Sequence, residues 1–174
     1  MGATDSLTLQ LREVPLPDDA ILGADGFYLN RPGFWFGAMG VAACWWGGAA
    51  GAARDVRRAV QRRPDDPHRL AHLGAIAAEL EATRALLEDA ARRCDDGPPH
   101  GGLHRLATTV RAQTAAACER ILEHGRAALG SGPLCHDAEV ARRFADLQVY
   151  ISQFRDGAEL AELGATVLSE DDPW

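Results

Sequence analysis

Three long segments of helical periodicity, separated by breaks that contain proline or glycine, restrict this chain to a helical fold. They run over about residues 32–63, 66–94 and 102–129, and a fourth segment begins near Asp137. Short connections make sequence neighbours antiparallel, and the economical packing of four such rods is an up-down-up-down bundle. The second segment shows its buried face most clearly, with apolar residues every three or four positions: Leu70, Leu73, Ile76, Ala77, Leu80, Leu87 and Ala91. We therefore predict an all-α fold, an antiparallel up-down-up-down four-helix bundle.

Particular residues mark where these helices begin and end. Asp66 followed by Pro67 is an N-cap residue followed by a proline in the first helical position. The third helix is expected to end at Gly130-Ser131-Gly132-Pro133, because glycine permits a left-handed cap and proline prevents continuation. Gly157 is expected to weaken or bend the fourth helix, since glycine is a poor helix former.

A charge-free segment over residues 32–53 contains six glycines and seven alanines. A membrane span is one interpretation of its length. Glycine and alanine add little transfer free energy, so burial on most sides within a bundle is favoured over insertion. The run over residues 47–53, GGAAGAA, has almost no side-chain volume and admits either another helix backbone or a flat ligand. Close helix packing is the preferred interpretation.

Residues 1–30 differ from the periodic segments. Leu7-Thr8-Leu9-Gln10-Leu11 alternates apolar and polar residues, which is typical of a strand, whereas Pro15 and Pro17 favour a loop. A single strand is not stable alone, so this head either packs on the helices or ends a sheet whose other strands are absent. The predicted bundle covers residues 31–168, and the acidic tail over 169–174 is expected to fray.

Charge and cysteine usage exclude some classes of protein. The 18 basic residues are all arginine and face 25 acidic residues, giving a net charge of −7, which argues against a nucleic-acid binder. The first residues have neither the basic nor the apolar region of a signal peptide. The four cysteines lack metal-binding spacing, so we expect free thiols in a reducing cytoplasm: Cys44, Cys94, Cys118 and Cys135.

Two histidine pairs have a spacing that places both rings on one helix face. His68 and His72 form the first pair, and His100 and His104 form the second. Such a pair can share a metal ion. Neither pair has an acidic or cysteine residue at a spacing typical of a metal site. Solvated surface histidines are therefore the preferred interpretation, and no metal site is predicted.

The end of the first helix carries four arginines that could hold a phosphate, because the guanidinium fork matches phosphate oxygens. They are Arg57, Arg58, Arg62 and Arg63. A solvated basic helix end is the default interpretation, since these charges complement the helix dipole. The glycine segment Gly130-Ser131-Gly132 could present backbone amides to a phosphate. That signal is weak alone because glycine caps are common.

Several segments together resemble the acyl-CoA dehydrogenase family. Residues 14–23, VPLPDDAILG, resemble the Val-x-Val-Pro-x-x-x-(Val/Ile)-Leu-Gly pattern with which the chain leaves the central β-domain of that family. A long helix follows there as it does here, and residues 37–45 are similar to it. The segment Leu129-Gly130-Ser131-Gly132 resembles the family's glycine loop, and Arg142 with Asp146 keeps an Arg-x-x-x-Asp spacing of the last helix.

The resemblance implies the C-terminal part of a flavin-dependent oxidoreductase. Residues 1–30 would be the terminal strand and loop of a β-domain, and the start of the chain resembles an interior segment of the family. We therefore expect a truncated or split protein whose N-terminal half lies elsewhere. In the family, FAD lies between β-domain and bundle, and a neighbouring subunit supplies the glycine loop. By match, Gly130 and Gly132 would be that loop and Arg57 a phosphate contact, although Val60 and Gln61 replace the Phe and Gly of the arginine motif.

The resemblance also shows what is missing for catalysis. Dehydrogenation needs a carboxylate to remove the α-proton. The two family positions for that glutamate fall near Phe34 and Phe154, and neither is acidic. Asp156 and Glu159 lie near the second position but are displaced from it.

Three hypotheses therefore remain open. The chain is part of a flavin-dependent oxidoreductase that acts on an acyl-CoA-type small molecule or, as in the flavin monooxygenases of this superfamily, needs no such base. Alternatively it is a non-catalytic helical bundle or inactive relative that assembles with a separate flavin-bearing chain, or it is a membrane-associated bundle. In each case we expect a homo-oligomer or a partner chain that supplies the missing domains.

Overall fold

The computed structural model describes residues 1, 2, 4, 5, 7–97 and 102–171 of the chain. Within these residues all regular structure is helical and no strand is present, which confirms the all-α class. A 3-10 turn covers Asp18–Ala20. The helices that follow are α1 (Phe27–Asn30), α2 (Pro32–Gln61), α3 (Pro67–Asp95), α4 (Gly102–Leu129), α5 (Ser131–His136), α6 (Ala138–Ile151) and α7 (Asp156–Leu168).

Two aspartates begin their helices by satisfying free backbone amides. The carboxylate of Asp66 accepts hydrogen bonds from the N–H groups of His68 and Arg69 at 3.1 and 3.2 Å. Asp137 does the same for the second and third residues of α6 at 3.1 and 3.2 Å. These N-caps explain why α3 and α6 begin where the sequence predicts, because each supplies acceptors to amides that have no helical partner.

Helices α2 and α4 form the centre of the bundle, and α3 packs against both. Trp45 of α2 is fully buried, together with three alanines that bring the helix backbones close. On the other side of this pair, α6 lies against α2 and α4, while α7 packs on α4. Within the described ranges, none of the helices combines the length and apolar character that crossing a membrane requires.

Glycines of α2 and α4 make room for the side chains of α6. A Cβ atom on Gly48 would lie 3.2 Å from Cδ1 of Leu147, and one on Gly125 would lie 2.8 Å from Cζ of Phe144. Ordinary contacts of a Cβ atom are longer, so a larger residue at Gly125 requires a shift of the phenyl ring. This packing agrees with the close-packing interpretation of the glycine- and alanine-rich run.

The strand expected at residues 7–11 is wrong. The segment has no regular secondary structure, and Leu7 and Leu9 are 87% and 80% exposed. The physical reason is that no strand among the described residues lies beside it to pair with its backbone groups. Alternation of leucine and polar residues gives a strand only where a sheet receives it.

The fourth predicted helix is interrupted, and the interruption precedes Gly157. The N–H groups of Gln153 and Phe154 donate to carbonyls three residues earlier, at 3.3 and 3.0 Å, which tightens the end of α6. The Ser152 hydroxyl donates to the carbonyl of Val149 at 2.6 Å. Helix α7 then starts afresh at Asp156, so Gly157 lies in its first turn and does not cause the break.

The glycine segment after α4 is a cap followed by a further helix. Gly130 has a φ of +69° and ends α4, as the sequence predicts. The next six residues form α5, whereas the sequence predicts only the end of a helix in this segment. Pro133 is compatible with α5 because it occupies the first turn, where its missing N–H has no helical acceptor.

Candidate functional site

A basic cavity of about 310 Å³ lies where the end of α2, the start of α3 and the junction of α4 with α5 meet. Arg62 and Arg63 enter it from the turn after α2, and Arg69 enters from the first turn of α3. Gly130 and Gly132 face them from the other side. We call this cavity the arginine–glycine pocket, and its remaining lining residues are Ala59, Leu129, Ser131 and Pro133.

Local backbone structure fixes both sides of the arginine–glycine pocket. The N–H groups of Arg62 and Arg63 donate to α2 carbonyls three residues earlier, at 3.3 and 2.8 Å. The N–H of Gly130 donates to the carbonyl of Arg126 at 3.0 Å, and the positive φ of Gly130 favours glycine there. A Cβ atom on Gly132 would meet no atom within 4 Å, so packing inside the chain does not require glycine at that position.

The charge of this pocket is positive. Arg69 is paired with Asp66 at 3.2 Å, whereas no carboxylate in the described part of the chain pairs with Arg62 or Arg63. Hydrogen bonds from the backbone amides of Arg69 and His68 lower the pKa of Asp66 and keep its carboxylate ionised. Its single negative charge offsets only one of the three arginines of the pocket. The exposed guanidinium groups of Arg62 and Arg63, together with backbone N–H groups, can donate hydrogen bonds to phosphate oxygens.

The structure brings together five of the residues that the sequence connected with phosphate, Ser131 among them, and separates Arg57 and Arg58 from them. The other four that line the pocket are Arg62, Arg63, Gly130 and Gly132. Arg57 does not line it, because five helical residues rotate its side chain by about 140° from that of Arg62.

The remaining arginines near this pocket differ in how well the sequence indicates them. Arg58 is engaged elsewhere and pairs with the buried Asp55. Arg69 was not predicted, although its position three residues after the Asp66 cap was a usable signal.

A second cavity, of about 400 Å³, opens beside the start of α2. It is lined by Tyr28, Arg31, Phe34, Arg111 and Gln153, and we call it the aromatic pocket. The guanidinium carbon of Arg31 lies 4.0 Å from the Tyr28 ring centroid, and the Tyr28 and Phe34 rings meet edge to face at 5.8 Å. Gly33, Gly37, Ala38 and Val41 complete its walls.

The aromatic pocket lies beside both positions at which the family resemblance implies a catalytic glutamate. Phe34 lines it from α2, and Gln153 lines it from the break between α6 and α7. The adjacent Phe154 ring centroid lies 5.4 Å from Cζ of Arg111. No carboxylate lines this pocket among the residues that the structure describes.

Glu159 approaches the same region but is already engaged. Its Oε2 accepts a hydrogen bond from Nη1 of Arg111 at 2.7 Å, and its Oε1 accepts one from the N–H of Arg155 at 3.4 Å. The side chains of Arg111 and Glu159 are only 14% and 20% exposed. Asp156 is exposed at the start of α7 and does not line the aromatic pocket.

A buried carboxylate connects α2 with α6. Asp55 is 4% exposed and pairs with Arg143 of α6 and with Arg58 of its own helix. The sequence motif pointed instead to Arg142 and Asp146, which form an i,i+4 pair at 3.6 Å on α6. The arginine that pairs with Asp55 between the two helices is Arg143, which follows the Arg142 that the motif indicated.

His72 contacts a histidine of another helix, and the structure records no hydrogen bond between it and His68. His72 meets His124 of α4, with the two Nδ1 atoms 3.0 Å apart and the ring centroids 5.3 Å apart. His68 is exposed, and His100 lies outside the described residues. No cluster of three metal-ligating side chains occurs in the ranges that the structure describes.

The cysteines lie in different environments. Cys44 and Cys135 are exposed, Cys94 is half-buried and Cys118 is buried, and all are free thiols. Burial raises the pKa of Cys118 to about 12. This thiol is therefore a core residue and not a nucleophile at neutral pH.

A family model described as acyl-CoA dehydrogenase, C-terminal domain, matches residues 24–159. The matched range includes α1 to α6, both pockets and the His72–His124 contact. No curated protein and no solved structure shows a significant match to the chain.

Proposed function

Because the chain belongs to the acyl-CoA dehydrogenase family through its C-terminal domain, we propose that it is the helical part of a flavin-dependent oxidoreductase. Its role in this proposal is to bind the phosphates of FAD and to hold subunits together. The observation that carries the proposal is the arginine–glycine pocket, in which Arg62, Arg63 and Arg69 face Gly130 and Gly132.

The residues of this pocket suit the diphosphate of FAD. Arg62 and Arg63 offer guanidinium groups that no carboxylate in the described ranges occupies. The exposed Gly130 and Gly132 have no side chains, so a phosphate can approach their backbone closely. FAD would supply the hydride acceptor of the reaction. The chain's own contribution would be to bind and orient the charged half of the cofactor.

Arg57 belongs to the same proposal through a second copy of the chain. It is exposed on α2 and turned away from Gly130 within one chain. In the family, the glycine loop comes from a neighbouring subunit. We therefore assign Arg57 of one copy and the arginine–glycine pocket of another to one FAD. This assignment predicts a homo-oligomer, and the free thiols fit a reducing cytoplasm.

The aromatic pocket is the proposed place for the acyl group. Its volume and its Phe34 and Tyr28 rings suit an apolar chain of an acyl-CoA-type substrate. The described residues that form its walls include no carboxylate, and Glu159 is held by Arg111. A base for α-proton removal would have to come from the domains that complete the protein, or the reaction is an oxygenation that needs no such base.

A non-catalytic bundle that assembles with a separate flavin-bearing chain is the second candidate. Large apolar side chains of the first 30 residues are exposed, among them Leu7, Leu22 and Phe27. An apolar surface of this extent is typical of a region that another domain covers. In this alternative the bundle serves assembly alone.

The test is the visible absorption of the chain produced with flavin available. We expect a bound-flavin spectrum for the unaltered chain and for Arg92→Ala, an exposed control on α3. Arg57→Ala and the double variant Arg62→Ala with Arg63→Ala should each lose the flavin. A mixture of the Arg57→Ala chain and the double variant should regain part of the bound flavin. In a mixed oligomer, the intact Arg57 of the double variant meets the intact arginine–glycine pocket of the Arg57→Ala chain.

Each outcome of the mixing experiment decides between the assignments. Recovery in the mixture supports a site shared by two copies. A colourless unaltered chain contradicts flavin binding by this chain and favours the non-catalytic bundle. Flavin binding that is unchanged in the double variant contradicts the arginine–glycine pocket as the phosphate site.

A further inference from the structure

We propose that His72 of α3 and His124 of α4 form a two-histidine site for a divalent transition-metal ion, which would clamp these helices together. The two Nδ1 atoms face each other at 3.0 Å, and both rings are half-buried. The flavin site uses neither histidine. Imidazole nitrogen suits Zn²⁺, Ni²⁺ and Cu²⁺, and these ions are the proposed ligand class.

The observed separation is close to the one that a metal ion needs. Two imidazole nitrogens bound to tetrahedral Zn²⁺ at about 2.0–2.1 Å lie about 3.3 Å apart. The Nδ1 atoms of His72 and His124 would therefore move apart by a few tenths of an ångström. The two rings are tilted by 45° and are not stacked face to face.

The proton balance of the pair permits metal binding. In the neutral pair, one Nδ1–H group donates to the Nδ1 lone pair of the other ring. To bind an ion, the donor ring must carry its proton on Nε2, so that both Nδ1 lone pairs face the metal. The proton moves between the two nitrogens of one ring, and no net proton is released.

The surroundings define what kind of site this would be. Glu79 of α3 lies close enough to interact electrostatically with His124, and Arg120 holds its carboxylate at 2.7 and 2.9 Å. No third ligating side chain joins the two histidines among the described residues. Water would fill the other coordination positions, so the site would be open.

The sequence offers an alternative pair of metal-binding histidines within a single helix, α3. His68 precedes His72 by four residues and shares its helix face. Binding by His68 and His72 would need no contact with α4. The variants His68→Gln and His124→Gln therefore distinguish a site within α3 from a site between α3 and α4, while His72→Gln removes both.

The experiment is calorimetric titration of the flavin-free chain with NiCl₂ and ZnCl₂, with thermal unfolding followed in parallel. We expect one ion per chain and an unfolding midpoint that rises with metal concentration, because the ion binds the folded state. His68→Gln and His136→Gln should retain both effects. His124→Gln and His72→Gln should lose them.

Circular dichroism of the variants without metal shows whether each one folds. If His124→Gln does not fold, electron paramagnetic resonance of the Cu²⁺ complex of the unaltered chain and of His68→Gln replaces it. Two coordinated imidazoles in both proteins support the site between the helices. Loss of one imidazole in His68→Gln, metal binding retained in His124→Gln, or the absence of a specific metal complex overturns the proposal.

Discussion

Nη1 of Arg111 donates to Oε2 of Glu159 at 2.7 Å, and this ion pair joins α4 to α7 beside the aromatic pocket. Both side chains are largely shielded from water. Removing one partner of a buried ion pair leaves an uncompensated charge, which costs more than the pair itself contributes. The pair therefore positions α7 and also keeps the Glu159 carboxylate occupied.

Glu159→Gln should lower the free energy of unfolding by about 2–3 kcal/mol, because it leaves Arg111 without its carboxylate. Urea denaturation measures the change. Glu88→Gln is the matched control, since Glu88 pairs with Arg84 at 3.1 Å on an exposed face and should cost less than about 1 kcal/mol. Equal losses in both variants would contradict a structural role of the Arg111–Glu159 pair.

Gly125→Ala should destabilise the bundle by about 1–3 kcal/mol, because the new Cβ atom would overlap the Phe144 ring. Gly74→Ala, within α3, should stabilise it by about 0.5–1 kcal/mol, since the Cβ atom there meets nothing within 4 Å. Thermal unfolding of the two variants gives the opposite signs directly. A stabilising effect at both glycines would show that α6 is not packed against Gly125.

The pKa of Glu79 is lowered, first by its side-chain hydrogen bond with Arg120 and further by the charge of that arginine. A carboxyl group with a lowered pKa in the folded state stabilises the fold above its unfolded pKa, near 4.5, and loses this contribution as the pH falls through the folded value. Glu79→Gln should therefore reduce stability at pH 7. The difference from the unaltered chain should shrink below pH 4.5.

Urea denaturation at several pH values checks this expectation. The control is Glu119→Gln, which removes an exposed carboxylate from α4 and leaves the hydrogen bonds between Glu79 and Arg120 in place. A difference between Glu79→Gln and the unaltered chain that grows towards acid pH would contradict the assigned role of Glu79.

The four thiols should react with a chromogenic disulfide reagent in the order of their exposure. Cys44 and Cys135 should react first, and Cys94 more slowly. Cys118 should react only after unfolding, because it is buried and its pKa is raised to about 12. Substituting Cys118 by alanine provides the check, since it should remove the thiol that reacts only after unfolding and leave the reactions of the other three thiols unchanged.

Helix boundaries were accessible from the sequence because they depend on local chemistry. Asp66, Asp137 and Gly130 act within one or two residues of the ends that they define. The break at Ser152 was missed because serine and glutamine give no strong stop signal, and its backbone bonds become visible only in the structure. The expected strand at residues 7–11 failed because a strand requires a partner elsewhere.

The candidate sites were only partly accessible from the sequence. The glycine loop and the arginines at the end of α2 were identified, but not that Arg62 and Arg63 face the loop while Arg57 does not. His72 was paired with His68 because spacing reports neighbours along one helix only. Its contact with His124 depends on how two helices are rotated against each other, and no single segment encodes that rotation.

The fit of the Phe144 ring against Gly125 makes these two positions a single unit of evolutionary change. A methyl group gained on α4 would have to be matched by a smaller side chain on α6. Related sequences should therefore covary at this pair, with bulk present at one position or the other and not at both. An engineered chain with Gly125→Ala and Phe144→Leu together should recover stability that Gly125→Ala alone has lost.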